Sequence, residues 1–401
     1  MTKIFSLFIL LSLNYFPVWA QISPNDSMII LSKVKFEMKE YEKAIELCEQ
    51  IPENMKFADE KYILSAQCLY NLRKYEQALK EIEKARKFSQ DAGTLIAAKC
   101  YAALNNPEKA CSELEKYFKT TGKLSESKIM TDTVFNRIKN SQYWLSLRKQ
   151  NNYIEYEKQI EEAQYEFSKG NIVEAYSILD KQIGKKSKKH YAYFLRGQIS
   201  FSQKNYKLAE DDFSKAIEIS PKEDYIFARS QIYIAMEKYK KSETDLNFLI
   251  EKNNYNLEYK YKYALVLLKL SEYEKALIYI DQVCNYFPQN IEYRFLKGEI
   301  CFLSGDYISA LKEFNFCAAG VKKSEYFERL ADTYFKTSNF EYAVSNYSMC
   351  LDLEPDSGEI YFKKANAHFA AGEQETACGL WQKSVNLKYY PASDKTELYC
   401  K

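Results

Sequence analysis

The segment NYKLAEDDFSKAIEISP, residues 205–221, places Tyr206, Ala209, Phe213, Ala216 and Ile219 three and four residues apart. Apolar and small residues at those intervals share one face of an α-helix, and Pro221 marks its end. The phrase returns as EYEKALIYIDQVCNYFP (272–288), NFEYAVSNYSMCLDLEP (339–355) and, without the proline, KYEQALKEIEKARKF (74–88). Anchored on its alanine, it recurs at Ala44, Ala78, Ala110, Ala175, Ala209, Ser242, Ala276, Ala310, Ala343 and Ala377. The intervals are 34, 32, 65, 34, 33, 34, 34, 33 and 34 residues, the 65 being close to two periods. A fixed period of this length predicts a solenoid of helix–turn–helix units.

Other positions repeat in step. Twelve residues before each anchor stand Ser32, Ala66, Ala98, Ala163, Gly197, Ser230, Ala264, Gly298, Ala331 and Ala365, all small. Small residues at both places let two antiparallel helices touch, and a larger side chain would force them apart at a cost of roughly 1–3 kcal/mol. Three before the anchor is usually aromatic, as at Tyr41, Tyr75, Tyr206, Tyr239, Tyr273, Tyr307 and Phe340, with Pro107, Ile172 and Gln374 as departures. Four after it is usually large and apolar, as at Phe213, Phe314, Tyr347 and Trp381. Gly170, Gly305 and Gly372 fall in the predicted turns, and Pro221, Pro288 and Pro355 follow the second helices.

These residues resemble the tetratricopeptide repeat (TPR) family, over about 27–120 and 153–390. The resemblance implies an all-α, right-handed superhelical solenoid of about ten helix–turn–helix repeats with a C-terminal capping helix. The chain then divides into a signal peptide (1–20), an N-terminal array of three repeats (21–122), a degenerate helical unit or linker (123–152), a C-terminal array of seven repeats (153–390) and the cap (391–401). In the 123–152 stretch Phe135, Ile138, Trp144 and Leu147 keep helical spacing without a small anchor pair. Each repeat buries its face on the next, so the last one needs a cap.

The first 20 residues, MTKIFSLFILLSLNYFPVWA, have a basic start, a short apolar run and small residues before Gln21. That pattern predicts a cleaved secretory signal and an exported, periplasmic, envelope-associated or secreted protein. The apolar run is short for a membrane span. A formal net charge of +2, with charges of both signs interleaved, argues against general nucleic-acid binding.

No phosphate-binding loop, nucleophile elbow, zinc-protease or dinucleotide motif is present, and the two histidines, His190 and His368, stand far apart. The expectation is a protein without catalytic, metal or cofactor sites. His190 reads as part of a solvated loop, and Glu210, Asp211 and Asp212 read as a solvated helix face. The ten cysteines include no C-x-x-C pair, and buried thiols are the default at Cys48, Cys301, Cys317 and Cys350. Cys378 and Cys400 differ, because a bridge there would staple the cap onto the last repeat. The sequence around them also resembles C-terminal caps of other exported bacterial TPR proteins. Cys100–Cys111 is a second candidate bridge.

In the resembling family the first helix of each pair lines a concave groove. The corresponding places here include Phe194, Gln198, Phe201, Phe227, Gln231, Tyr261, Glu292, Phe295, Glu299 and Phe302, then Glu328, Asp332, Phe335, Phe362, Asn366 and Phe369. Core packing does not obviously demand these aromatics, and acids gather toward the C-terminal half. Members that grip a terminal carboxylate use Lys, Arg and Asn at such places, and these are almost absent here. The expected partner is therefore a protein or peptide segment with basic and apolar side chains. The alternative is that the aromatics pack between repeats and bind nothing. The expected function is a non-catalytic scaffold or adaptor of the bacterial cell envelope. The competing reading is a secreted or surface module for glycan or peptide ligands.

Overall fold

The computed structural model describes residues 24–53, 58–120, 123–124, 126–150, 153–184 and 189–400; the expected signal peptide lies outside them. Among the described residues the chain is all-α, in two compact units that divide between Ser187 and Lys188.

The first unit contains α1 (Pro24–Glu37), α2 (Tyr41–Glu49), α3 (Ala58–Asn71), α4 (Tyr75–Ala85), α5 (Thr94–Ala103) and α6 (Pro107–Phe118). The short helices α7 (Glu126–Thr131) and α8 (Gln142–Lys149) follow, and α9 (Glu155–Ser168) and α10 (Ile172–Gly184) complete it. The second unit runs α11 (His190–Ser202), α12 (Tyr206–Ile219), α13 (Glu223–Ala235), α14 (Tyr239–Lys252), α15 (Leu257–Lys269) and α16 (Tyr273–Tyr286). It continues with α17 (Ile291–Ser304), α18 (Tyr307–Gly320), α19 (Ser324–Lys336), α20 (Phe340–Leu353), α21 (Gly358–Ala370), α22 (Gln374–Asn386) and α23 (Ser393–Tyr399). Setting aside α7, α8 and α23, these helices form ten antiparallel pairs, four in the first unit and six in the second.

All ten second helices begin three residues before their anchor, so the repeated aromatic is the first helical residue. All ten anchors are fully buried, as are the small residues opposite them. Where the anchor is Ser242, its hydroxyl donates to the Ser230 carbonyl at 3.0 Å, so the buried oxygen is satisfied. The residue four after the anchor fills the space between the paired helices in every repeat, from Cys48 and Ile82 to Phe314 and Trp381. Volumes are matched across this contact. The two glycines at the crossing, Gly197 and Gly298, face Phe213 and Phe314. An added Cβ would meet those rings at 2.7 and 2.6 Å.

The turn within each pair needs one left-handed residue, five before the anchor. Glycine supplies it at 170, 305 and 372. Lys39, Arg73, Asn105, Lys204, Glu237, Ser271 and Ser338 adopt it with φ between 55 and 61°. The glycines thus marked only three of ten equivalent turns, because a side chain at this site costs little enough to be tolerated.

The stretch between α6 and α9 is packed. Phe135 stacks on Trp144 with ring centres 5.3 Å apart. Both rings are buried with Ile138 and Leu147 against Leu114 and Phe118 of α6. Arg137 Nη1 donates to the Ala103 carbonyl at 2.7 Å and ties the stretch to α5. At the C-terminus, Cys378 and Cys400 form a disulfide with Cα atoms 5.5 Å apart, joining the end of α23 to α22. The other eight cysteines are buried free thiols, so Cys100 and Cys111 are not paired. Three donors at one repeated place explain part of this burial. Cys317 Sγ, Cys350 Sγ and Ser384 Oγ reach the carbonyls of Ile291, Ser324 and Gly358 at 3.5, 3.4 and 2.6 Å.

Candidate partner-binding wall

The first helices of the second unit carry the residues assigned to a groove. Most of their aromatics are engaged in packing. Phe194 and Tyr261 are buried, and Phe201, Phe227, Phe295, Phe302, Phe335, Phe362 and Phe369 are half-buried. One set joins five of the six repeats to the segment that follows, the next repeat in four of them and the stretch after α22 in the last. Its ring pairs are Phe194–Tyr225 (4.5 Å), Phe227–Tyr259 (4.9 Å), Tyr261–Tyr293 (4.8 Å), Phe295–Tyr326 (5.0 Å) and Phe362–Tyr389 (5.5 Å). A second set closes single repeats, pairing Phe201 with Tyr206, Phe302 with Tyr307 and Phe335 with Phe340 at 5.7–5.9 Å. The expectation that packing does not demand these aromatics is therefore corrected. A first helix faces the first helix of the next repeat as well as solvent, and a large flat ring spans that gap.

The polar members divide by exposure. Gln198 and Glu292 are exposed, and Gln231, Glu299, Glu328, Asp332 and Asn366 are half-buried. The Glu292 carboxylate accepts from the Tyr261 hydroxyl. On α17, α19 and α21 the acids meet cations that lie one position from the expected lining residues. Lys363 bonds Glu328 and lies 3.5 Å from both Asp332 and Glu359. Burial works against the Lys363 charge, and these three acids more than offset it, raising its pKa. Arg329 Nε lies 2.7 Å from Glu299 Oε1, out of line for a hydrogen bond. Burial raises the Glu299 pKa against the pull of Arg329. The Tyr347 hydroxyl donates to Asp332 Oδ1 at 2.6 Å.

Phe302, Asp332, Phe335, Tyr347, Lys363 and Asn366, with Lys336 at the rim, surround a cavity of about 260 Å³. Four of these belong to the expected groove set, brought together from three successive first helices. Asn366 has a definite orientation. Trp381 Nε1, which can only donate, lies 3.1 Å from its side chain, so the atom it meets is Oδ1. The Asn366 amide N–H groups are turned away from Trp381.

Sequence reasoning missed several charge partners. Asp212 is buried and holds Arg196 through two bonds of 2.8 and 2.6 Å, and Glu210 pairs with Lys238 and Lys241. Of the presumed solvated trio, only Asp211 is exposed, where it pairs with Lys207. Asp245 repeats the first arrangement with Arg229 at 2.9 and 2.7 Å. In both pairs the arginine precedes its acid by 16 residues, a spacing that could have been found in the sequence. His190 is not in a loop. It opens α11, and its Nδ1 lies 2.7 Å from the Tyr225 hydroxyl. Burial, then the charge of Lys222, lowers its pKa. His368 Nδ1 lies 2.6 Å from Glu373. In the first unit a separate cavity of about 490 Å³ opens between α2, α3 and α4 over Cys48, Ser65 and Leu69, with a rim of both charges.

Among the described residues, no group of three or more His, Cys, Asp or Glu side chains is placed to hold a metal ion. No described helix is long and apolar enough to cross a membrane.

The family described as tetratricopeptide repeat matches residues 190–223. The family described as anaphase-promoting complex, cyclosome, subunit 3 matches residues 20–85 and 37–117. A TPR repeat-containing protein of Methanocaldococcus jannaschii is 31% identical over 124 residues, which are 31% of this chain and 21% of that protein. The DnaJ homolog subfamily C member 3 of Gallus gallus is 24% identical over 267 residues, 61% of this chain and 52% of that one. The chain thus spans about half or less of the length of these curated relatives. A solved tetratricopeptide repeat protein of Parabacteroides merdae is 18% identical with a TM-score of 0.48, covering 61% of this chain and 99% of its own. The repeated helix pairs, the small residues at every crossing and the repeat-family match identify the chain as a tetratricopeptide repeat protein.

Proposed function

We propose that the chain is a non-catalytic interaction scaffold that holds a protein or peptide segment against the first-helix wall of the second unit. The observation that carries the reading is the cavity over Phe302 and Phe335. It offers two apolar ring surfaces for a side chain, and the Asn366 amide as a donor to a backbone carbonyl. Near the starts of the same three helices Glu292, Glu325 and Glu359 are exposed, which favours basic side chains on the partner. Lys363 and Arg329 already pair with the half-buried acids Glu328, Asp332 and Glu299, so the charge preference rests on the exposed acids. The pairing of the wall's aromatics with one another supports a protein ligand over a glycan, because rings engaged in packing present less open face for stacking on a sugar. The pattern of residues 1–20 supports export, with action in the periplasm, the envelope or outside the cell.

Selection of a random-peptide library on the full chain tests this. The expected yield is peptides in which Lys or Arg flank a large apolar residue. Asn366→Asp keeps the acceptor for Trp381 and removes the amide donors; with Glu359→Lys it should abolish the selection while the fold persists. Equal recovery of the same peptides by the folded variant would refute the wall as the site.

A further inference from the structure

The last repeat departs from its neighbours where its second helix begins. In three repeats of this unit an aromatic opens the second helix and packs on the final aromatic of the first. α22 opens with Gln374 instead. Tyr399 of α23 fills that place. Its ring lies 4.6 Å from Phe369 and 6.0 Å from Trp381, and Gln374 Nε2 donates to its carbonyl at 2.7 Å. The cap therefore completes a repeat that its own sequence leaves incomplete.

The hold on this cap is narrow. α23 has seven residues and no buried side chain, and Leu398 on it is 66% exposed. A helix so short is not stable by itself in water. Ala392, buried beside Trp381, fixes its start; what fixes its end converges on Tyr399 and the neighbouring Cys400, which is bridged to Cys378 on α22. Both bridged cysteines are half-buried, whereas all eight free ones are buried. Burial raises the pKa of the free thiols, to about 11 or 12 at seven of them, so they supply almost no thiolate to attack the bridge. An external thiol is left to do so.

We propose that Cys378–Cys400 is a redox latch. As a disulfide it holds Tyr399 over Phe369 and Trp381; its reduction by a dithiol frees the cap and uncovers that apolar face at the end of the last repeat. A thiolate of the dithiol attacks one sulfur, giving a mixed disulfide and one free cysteine thiol. The second thiol of the reductant then displaces the other cysteine. Two electrons and two protons pass to the protein, and the dithiol leaves as its own disulfide. The latch does not depend on what the wall binds.

The test is native-state hydrogen exchange of the full oxidised chain, with and without dithiothreitol, with thiols trapped by alkylation and mapped by mass spectrometry. Reduction without denaturant should label Cys378 and Cys400 and leave the eight buried thiols unlabelled. Protection of the 397–400 amides should fall on the order of 100-fold, the scale expected for opening a loop of this size, while α11–α20 keep theirs. Cys378→Ser with Cys400→Ser should reproduce the reduced pattern without reductant. The latch is overturned if 397–400 stay protected in the reduced chain or in the double variant. It is equally overturned if the bridge yields only after the unit unfolds, or if protection is lost throughout the second unit.

Discussion

Lys260 offers the sharpest test of the packing argument. It lies on α15, is fully buried, and donates to Gln282 Oε1 at 2.7 Å, with no carboxylate as partner. In the second unit the equivalent places hold Tyr193, Ile226, Phe327 and Tyr361 in four of the other five repeats, and in the fifth Arg294, which unlike Lys260 has a carboxylate partner, Glu313, so a side chain without charge suits the site. Burial pushes the Lys260 pKa from 10.5 down to about 8. Between those values the unfolded chain binds a proton that the folded chain does not, so stability rises with pH from about 8 to about 10.5. Below that window the burial penalty is fully present, and a shift of this size corresponds to about 3 kcal/mol. Lys260→Met removes the charge but leaves the Gln282 oxygen without its donor, at a cost of about 1–2 kcal/mol. The net expectation is a variant about 1–2 kcal/mol more stable near pH 7, an advantage that shrinks above about pH 8 and turns into a deficit of about 1–2 kcal/mol by about pH 10.5, where only the unpaired Gln282 oxygen counts. Urea unfolding of both proteins, followed by circular dichroism across that range at constant ionic strength, measures the difference, and other titrating groups cancel in it. Adding Gln282→Leu should recover most of the remaining penalty. A variant less stable at neutral pH, or a difference that does not change with pH, would refute the reasoning.

Two further outcomes follow from the repeated contacts. Gly298→Ala should lower stability by about 1–3 kcal/mol, because its Cβ would enter the Phe314 ring, and adding Phe314→Leu should restore most of the loss, since Ala98 and Leu114 share those places in the third repeat; thermal unfolding of the single and double variants decides it. Cys350→Ser should change stability by less than about 1 kcal/mol in urea unfolding, because a serine hydroxyl already makes the equivalent bond from Ser384 to the Gly358 carbonyl. A larger loss would show that the thiol's apolar volume, not its donor, matters there.

The sequence by itself determined the helix pairs, their register and the contact at each crossing. Those features rest on requirements that every repeat must meet alone: a small residue opposite the anchor, an opening residue for the second helix, a bulky side chain between the pair. Ten copies made each requirement visible, even where one copy departs from it, as at Gln374 or Ser242. Cys378 and Cys400 were legible for a related reason, since the segment after α22 breaks the repeat pattern and has to be held onto it. Only the tertiary structure decided which first-helix residues meet solvent. Phe194 and Tyr261 belong to the same set of expected lining places as Asn366, yet they are buried because the rings that cover them, Tyr225 and Tyr293, come from the next repeat. The same holds for charge. Lys363 on α21 reaches back to Glu328 and Asp332 on α19, about one period away, and Asp212 turns inward to Arg196 while adjacent Asp211 stays in water. A periodic pattern shows that a side chain lies on a given face. How close a neighbouring repeat brings its own rings and charges to that face depends on the packing of whole helix pairs, which no single repeat specifies.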